Sequence, residues 1–549
     1  MPLSRVSSRL GLLAGVALAL LLLAPLLGAD HVLVRDMVFV PRQPLTSALL
    51  GLDGVPRAVP SDLLVALAGR VVPTGWLQDL VLVGIVVTAA WGAARLVPST
   101  APVAALTAAT AYAWSAYLHE RLLLGQWALL VGWAVLPWAA RAALDWRRGE
   151  PGWRAVACLA VAACGGASAG LLVGLVVVVC GRPVRALTAT ALVSLPWALP
   201  ALLTPSGLSG GDPAGVAAFA SRADTPLGVV GSLLTGGGVW APAAVPPGRT
   251  AGLAAAVVVL LLAAAGGRAL LTGLGPRLPM VAAVGLLLAL LGRLPGVADA
   301  LRWAVVHVPA AGLLRDGQKW LAPLVLLVAV AAGCGAAAVL ERLRAPRTRV
   351  AAGALAVLAP LAALPGAAWA EGGRLTTSSY PADWEAVTAR AGDGPVLVLP
   401  WGAYRAFPWT GDRTVLDPAP RFLRGRAVVD DDLPLWTGSV RGEDPLADRL
   451  DAVVSSGGPL LGVLRAEGIT QVLLERTPRG VDLAAEQRRL VGLQPVVETP
   501  ELVLLDVPGA VARPADRPPL GPVVAGDVLA VLLGGLAAGQ VVRGARRAH

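Results

Sequence analysis

A polytopic, all-α membrane bundle of about twelve transmembrane helices, with a small extracytoplasmic α/β domain near its C-terminus, is the fold class that the sequence predicts. Three observations predict it. The 549 residues are 56% hydrophobic and only 15% charged, against about 25% charged in a soluble domain, and the mean hydropathy is +0.70. Apolar runs close to the length of a bilayer crossing recur along the chain, separated mostly by short, arginine-bearing connections. One long segment, 374–518, breaks that pattern: it holds 20 acidic and 16 basic residues and alternates short apolar runs with helix-like stretches.

A helix that crosses a bilayer needs about 20 predominantly apolar residues. Candidate spans are 10–29, 77–97, 99–118, 122–140, 153–167, 169–181, 184–203, 250–267, 278–293, 319–340, 350–370 and 521–542. The pair 153–167 and 169–181 is short and reads as a hairpin bent at "CGGASAG". The first run follows Arg5 and Arg9 and ends in "LLGAD", without a small-x-small cleavage site. It reads as an uncleaved first span rather than a signal peptide.

With the N-terminus cytoplasmic, every inner connection carries arginine: Arg95; Arg141, Arg147, Arg148 and Arg154; Arg182 and Arg185; Arg268 and Arg277; Arg342, Arg344, Arg347 and Arg349; and Arg543, Arg546 and Arg547 in the tail. This satisfies the positive-inside rule at each crossing. It directs the net charge of +10 to the membrane surface rather than to nucleic acid. The outer side receives a long first loop 30–76, a Gly/Pro-rich loop 204–249, a loop 294–318 and the polar segment. The expected organisation is a transmembrane domain 1–373, an extracytoplasmic domain 374–518 with strands at 395–400, 470–475 and 502–507, and a final span with a basic cytoplasmic tail, 519–549. Cys158, Cys164, Cys180 and Cys334 all lie in apolar runs, so neither a disulfide framework nor zinc spacing is indicated.

Charged side chains inside spans mark ion or substrate paths, and the proposed spans contain almost none. Gln126 is the main polar exception, near the outer end of its span. Polar residues gather instead where spans meet the outer surface. "ADHVLVRDMVFVPRQPL", 29–45, carries Asp30, Arg35 and Asp36, and an interfacial helix, "PSDLLVALAGRVV", follows it. "YLHERLLLGQW", 117–127, carries His119, Glu120, Arg121 and Gln126. "GLLRDGQKWLAP", 312–323, carries Arg315, Asp316, Gln318 and the only lysine of the chain, Lys319. An aspartate at the bilayer surface can deprotonate a hydroxyl. Arginine and lysine can hold a lipid phosphate, one as a fork and the other as a point charge. The set therefore suits a reaction on a lipid-linked anionic substrate. Singly, each residue also reads as an interfacial anchor or a loop ion pair. Most of the 17 tryptophans read as an interfacial belt. Trp401, Trp409 and Trp436, in the polar segment, suit either sugar stacking or core packing.

The layout resembles the GT-C superfamily of membrane glycosyltransferases: a first span, a long outer loop with an early acid, an interfacial helix, many further spans and an outer α/β domain. The segments "DMVFVPRQPL", "ERLLLGQWALL" and "LRDGQKW" are similar to those of actinobacterial multi-spanning proteins. The wider group includes the arabinofuranosyltransferases of the mycobacterial envelope. The resemblance implies transfer of a sugar, with inversion, from a polyprenyl-phosphate donor to an envelope glycan or lipid acceptor at the outer face of the plasma membrane. By position it carries the catalytic acid onto Asp36, with Asp30 the alternative, because "RDM" holds a single acid where many members hold a pair. Arg315 and Lys319 are then expected at the donor phosphate. Arg35, His119, Glu120, Arg121, Gln126, Asp316 and Gln318 are expected around the substrates. No cofactor and no metal ligand set are indicated, and the need for a divalent ion stays open. Two other readings share the topology: a non-catalytic scaffold or accessory subunit of envelope synthesis, and a lipid-linked-sugar flippase or transporter.

Overall fold

The computed structural model describes residues 5–54, 56–204, 210–435, 438–514 and 517–547, so Trp436 lies outside the described residues. Helices lie over all twelve expected spans. Among the described residues, seven helices are long and apolar enough to cross a membrane, or eight if the pair Arg277–Arg293 and Val297–His307, bent by 88°, forms one span. The others are short. Pro102–Ala113 has 12 residues, Trp153–Ala163 has 11, Ala167–Cys180 has 14 and Pro346–Ala362 has 17. At 1.5 Å per residue, a helix of 12 residues reaches roughly 18 Å, well short of the ~30 Å hydrocarbon core. The expectation of about twelve full crossings is therefore not met by helix length.

The shortfall has local causes. Pro102–Ala113 stops at Trp114, which leaves helical geometry (φ −125°, ψ 34°), and a separate helix, Ala116–Leu123, begins after Ser115. Neither Trp nor Ser announces a break in sequence, so 99–118 reads as one run. The helices Trp153–Ala163 and Ala167–Cys180 are separated at Cys164–Gly166, where Gly166 adopts φ +83°. That is the bend expected at "CGGASAG".

Small residues set how closely the membrane helices approach. Without a hydrophobic driving force between helices in lipid, packing depends on backbone proximity. A Cβ added at Gly335, in Ala322–Arg342, would meet the Leu262 carbonyl oxygen at 1.8 Å, and one at Gly266, in Leu253–Leu274, would meet the Ala331 carbonyl oxygen at 2.0 Å. These two helices therefore touch through their backbones.

The polar segment folds around a five-stranded sheet in the order Gln494–Glu498, Leu502–Asp506, Gln471–Glu475, Val396–Leu399, Ala427–Val428. The last three strands are parallel, and the first two are antiparallel to their neighbours. Val396–Leu399 and Gln471–Glu475 are buried at every residue, which is the pattern of central parallel strands covered on both faces. On one face Leu397, Leu399, Val472 and Leu474 pack with Leu450, Val454 and Leu464. On the other, Val396, Val398, Leu473 and Leu504 pack with Trp384 and Phe422, and with Val38 and Val40 of the first loop. The first loop is also tied in by backbone, since His31–Val32 pairs antiparallel with Thr377–Ser378. The first loop and the strand-bearing region thus share one core.

Candidate functional site

Ala116–Leu123 is the short helix freed by the break at Trp114, and all eight of its residues are buried. It carries Arg121 into the interior with no exposure. The guanidinium donates two bonds to the Asp316 carboxylate, at 2.6 and 3.1 Å. It also donates to the Gln126 amide oxygen at 2.6 Å and to the Gln318 amide oxygen. Gln318 in turn donates to Glu120 at 2.8 Å and to the Gly237 carbonyl at 3.2 Å. A planar fork is the group that can satisfy a carboxylate and two amides at once. Glu120, Arg121, Gln126, Asp316 and Gln318, all singled out in the sequence, therefore form one network, buried at Glu120, Arg121 and Gln318 and half-buried at Gln126 and Asp316.

Asp36 joins that network from the first loop. Its backbone N–H donates to the Leu124 carbonyl at 3.3 Å, and its carboxylate accepts a 2.6 Å bond from the Tyr404 hydroxyl. The neighbouring Arg35 is held at φ +45°, with its N–H on Thr414 and its carbonyl on Leu416, each at 2.8 Å. A non-glycine residue there is a local strain that the surrounding bonds must hold. Gly125 supplies the other wall. It has φ +75°, and a Cβ would collide with the Val34 carbonyl oxygen at 2.3 Å and the Met37 nitrogen at 2.4 Å. Burial pushes the Asp36 carboxyl above its ordinary pKa, while hydrogen bonds from Tyr404 and Gln126 and the charges of Arg35 and Arg421 pull it back.

Lys319 lies buried beside this network. Its ammonium donates to Ser168 at 3.2 Å and sits 5.6 Å from the centre of the Trp320 ring, while its carbonyl accepts from Tyr117 at 2.6 Å. An ammonium has three donors, and Ser168 takes one.

Three expected residues lie elsewhere. Arg315 is ion-paired with Glu443 at 2.8 Å and so ties the loop to the strand-bearing region. His119 leaves the opposite side of its helix to meet Glu371 at 2.5 Å, both side chains fully buried, edge-on to Trp114. Asp30 is exposed and accepts a 2.6 Å bond from Ser379. Only Asp36 of the two candidate acids therefore reaches the Arg121 network. Trp409 stacks on Phe407 at 4.7 Å and leans on Tyr380, as a packing residue does.

Several participants carried no signal in the sequence. Tyr404 lies beyond the strand expected at 395–400, in a short strand of its own, Tyr404–Ala406. The buried pair Asp224 and Arg249, at 3.1 Å, sits against Glu120 from a Gly/Pro-rich loop. Glu371 lies in a left-handed turn after Ala367. Tyr404 lies 368 residues from Asp36, and Glu371 lies 252 from His119. Among the described residues no three His, Cys, Asp or Glu side chains gather as metal ligands would, and the four cysteines are unpaired.

No protein-family model matches the chain, and no curated protein sequence matches it. Solved structures do. The single-particle cryo-EM structure of the arabinofuranosyltransferase AftD from mycobacteria superposes with a TM-score of 0.60 and 17% identity, covering 92% of this chain and 40% of that one. One class of an AftD variant gives a TM-score of 0.52 and 18% identity, covering 94% of this chain and 42% of that one. The chain thus spans less than half the length of the enzyme it matches. At this identity it is the fold that is shared: the chain is a multi-pass membrane protein that resembles, at a distance, the mycobacterial arabinofuranosyltransferase AftD.

Proposed function

We propose that the chain is an integral-membrane glycosyltransferase of the GT-C type. It would transfer a sugar from a polyprenyl-phosphate donor to an envelope glycan or lipid acceptor at the outer face of the plasma membrane. The observation that carries this reading is Asp36: a half-buried carboxylate, oriented by Tyr404 and joined to the Arg121 network, where the first loop, the membrane helices and the strand-bearing region meet. In this reading the acceptor hydroxyl gives its proton to Asp36 as its oxygen attacks the anomeric carbon. The bond from that carbon to the phosphate oxygen breaks, polyprenyl phosphate leaves with the electron pair, and the configuration inverts. Lys319 and Arg315 hold the departing phosphate. Lys319 uses the donors that Ser168 leaves free, and Arg315 does so by leaving Glu443. Arg121, committed to Asp316, is a positioning residue. Both termini are cytoplasmic and residues 374–518 face outward, with the short helices completing crossings in combination. No cofactor enters this reading.

The fold shared with AftD supports this reading, as does the strained, glycine-walled loop that presents Asp36. A second reading, the non-catalytic scaffold, is favoured by one observation. Arg121 and Arg315 are already satisfied by carboxylates of the chain itself. The deciding experiment is envelope-glycan analysis of a deletion strain complemented with wild type or with Asp36→Asn at matched membrane abundance. Loss of a linkage that wild type restores and Asp36→Asn does not, with transfer lowered about 10²–10⁴-fold, supports the transferase. Equal restoration removes Asp36 as the base and favours the scaffold.

A further inference from the structure

The strand-bearing region holds a crevice of about 940 Å³ that the reading above does not use. Its position follows from topology. From Val396–Leu399 the chain moves to one side of the sheet, to Ala427–Val428, and then crosses to the other side, to Gln471–Glu475. The two strands flanking this reversal are parallel, and the loops that leave their carboxyl ends diverge. The crevice is lined by those two loops, 400–406 and 478–482, together with the end of the helix Pro445–Ser455 and the turn after it. In open α/β sheets, ligands bind at this reversal, outside the carboxyl ends of the strands.

The lining points to a class of ligand. Trp401 presents a half-buried ring whose Nε1 is tied to Asp451 at 2.9 Å, so the indole is held in place. Around it lie Tyr404, Asp430, Arg479, Asp482 and Arg488. Donors and acceptors therefore alternate beside an aromatic face. The positive charge is largely neutralised: Arg405 is buried against Asp417 and Glu475, Arg479 is paired with Asp412, and Arg489 is paired with Glu486. That balance disfavours a phosphate or a polyanion. A nucleotide is disfavoured too, because Val396–Leu399 runs through Pro400, Trp401 and Gly402 into another strand, Tyr404–Ala406, and not into a helix that could cradle phosphates. Sugars combine an apolar C–H face with a rim of hydroxyls that both donate and accept, and this lining matches both. The volume lies at the upper end of the ~300–1,000 Å³ usual for small-molecule sites, which suits several linked residues better than one.

We propose that this crevice binds a neutral oligosaccharide, with Trp401 as the stacking platform. Its wall is continuous with the candidate acid, since the hydroxyl of Tyr404, a lining residue, donates to Asp36. Identifying the bound saccharide as the acceptor rests on the glycosyltransferase reading; the binding does not.

The test uses the full chain in nanodiscs, with calorimetric titration of three soluble probes: a linear arabinofuranose hexasaccharide, a linear mannose hexasaccharide and inorganic phosphate. At least one hexasaccharide is expected to bind and phosphate is not. Trp401→Ala is expected to weaken that binding at least tenfold, and Arg488→Ala, an exposed rim change that leaves the core untouched, to weaken it severalfold. Asp299→Asn, an exposed change on the helix Val297–His307, is expected to leave it within twofold of wild type. Binding by neither hexasaccharide, competition by phosphate, or unchanged affinity in both crevice variants overturns the proposal. Saccharide binding in a protein that shows no transfer at all upholds the crevice and removes the glycosyltransferase reading. Transfer without any binding at the crevice does the reverse.

Discussion

Tyr404 and Asp36 stand 368 residues apart in the chain and share a 2.6 Å hydrogen bond in which the phenol donates to the carboxylate. The bond joins the strand-bearing region to the loop that follows the first helix. Burial raises the Asp36 carboxyl above its ordinary pKa, and this bond is one of the groups that restrain the rise. If Asp36 is the general base of the proposed transfer, it works as the carboxylate, and transfer is expected to fall as the pH drops through that raised value. Tyr404→Phe removes a bond that favours the charged form. The acid limb of the pH–rate profile should therefore move to higher pH, with membrane abundance preserved. A limb that stays in place while the whole profile drops would assign Tyr404 to packing instead.

Arg121 has no exposure and holds Asp316 with two bonds. Removing one partner of a buried pair leaves the other charge uncompensated, at about 3–5 kcal/mol. Arg121→Ala should lower the thermal unfolding temperature in detergent markedly. Arg121→Lys should recover little, because an ammonium cannot serve Asp316, Gln126 and Gln318 in one plane. A double change, Arg121→Met with Asp316→Leu, should cost less than the sum of the two single changes.

Gly125 meets the Asp36 loop at its backbone, in a left-handed conformation. Gly125→Ala would bring a methyl group within 2.8 Å of the Asp36 nitrogen. The loop must move, and a displacement of about 1 Å at reacting groups can cost about a hundredfold in rate. Transfer should fall far more than stability does, read as kcat against melting temperature. A parallel loss of both would place the effect in folding.

Lys319→Ala should raise the KM for a polyprenyl-phosphate donor with less effect on kcat or on membrane abundance. The ammonium is buried and its hydrogen bond to Ser168 uses one of three donors. If abundance falls as steeply as donor affinity, Lys319 serves the structure through Ser168 and Trp320.

Gly335→Val tests the membrane bundle independently of the site. Its Cβ would lie 1.8 Å from the Leu262 carbonyl oxygen, so the two helices must separate. Protein recovered in detergent should fall sharply, while the same change at Gly267, where a Cβ meets nothing within 4 Å, should be tolerated.

Much of the layout is legible in the sequence. Apolar runs place helices over all twelve expected segments, because the hydrocarbon core accepts only long apolar stretches with satisfied backbones. The strands at 396–399, 471–475 and 502–506 were visible as short apolar runs between turn residues. Glu120, Arg121, Gln126, Asp316 and Gln318 stood out as polar residues at the ends of apolar runs. Helix length was not legible, because the break at Trp114 is made by packing and carries no Pro or Gly.

By itself the sequence determined a multi-pass membrane protein with a strand-bearing polar segment, since hydrophobicity and its period are local properties of the chain. Only the tertiary structure decided which polar residues meet. It separated Asp36 from Asp30, turned His119 away to Glu371 and committed Arg315 to Glu443. It also brought Tyr404 to Asp36 and opened a crevice at Trp401. These outcomes depend on contacts between residues up to 368 positions apart. Side-chain reach and burial at a junction of three elements set such contacts, and no window of sequence contains them.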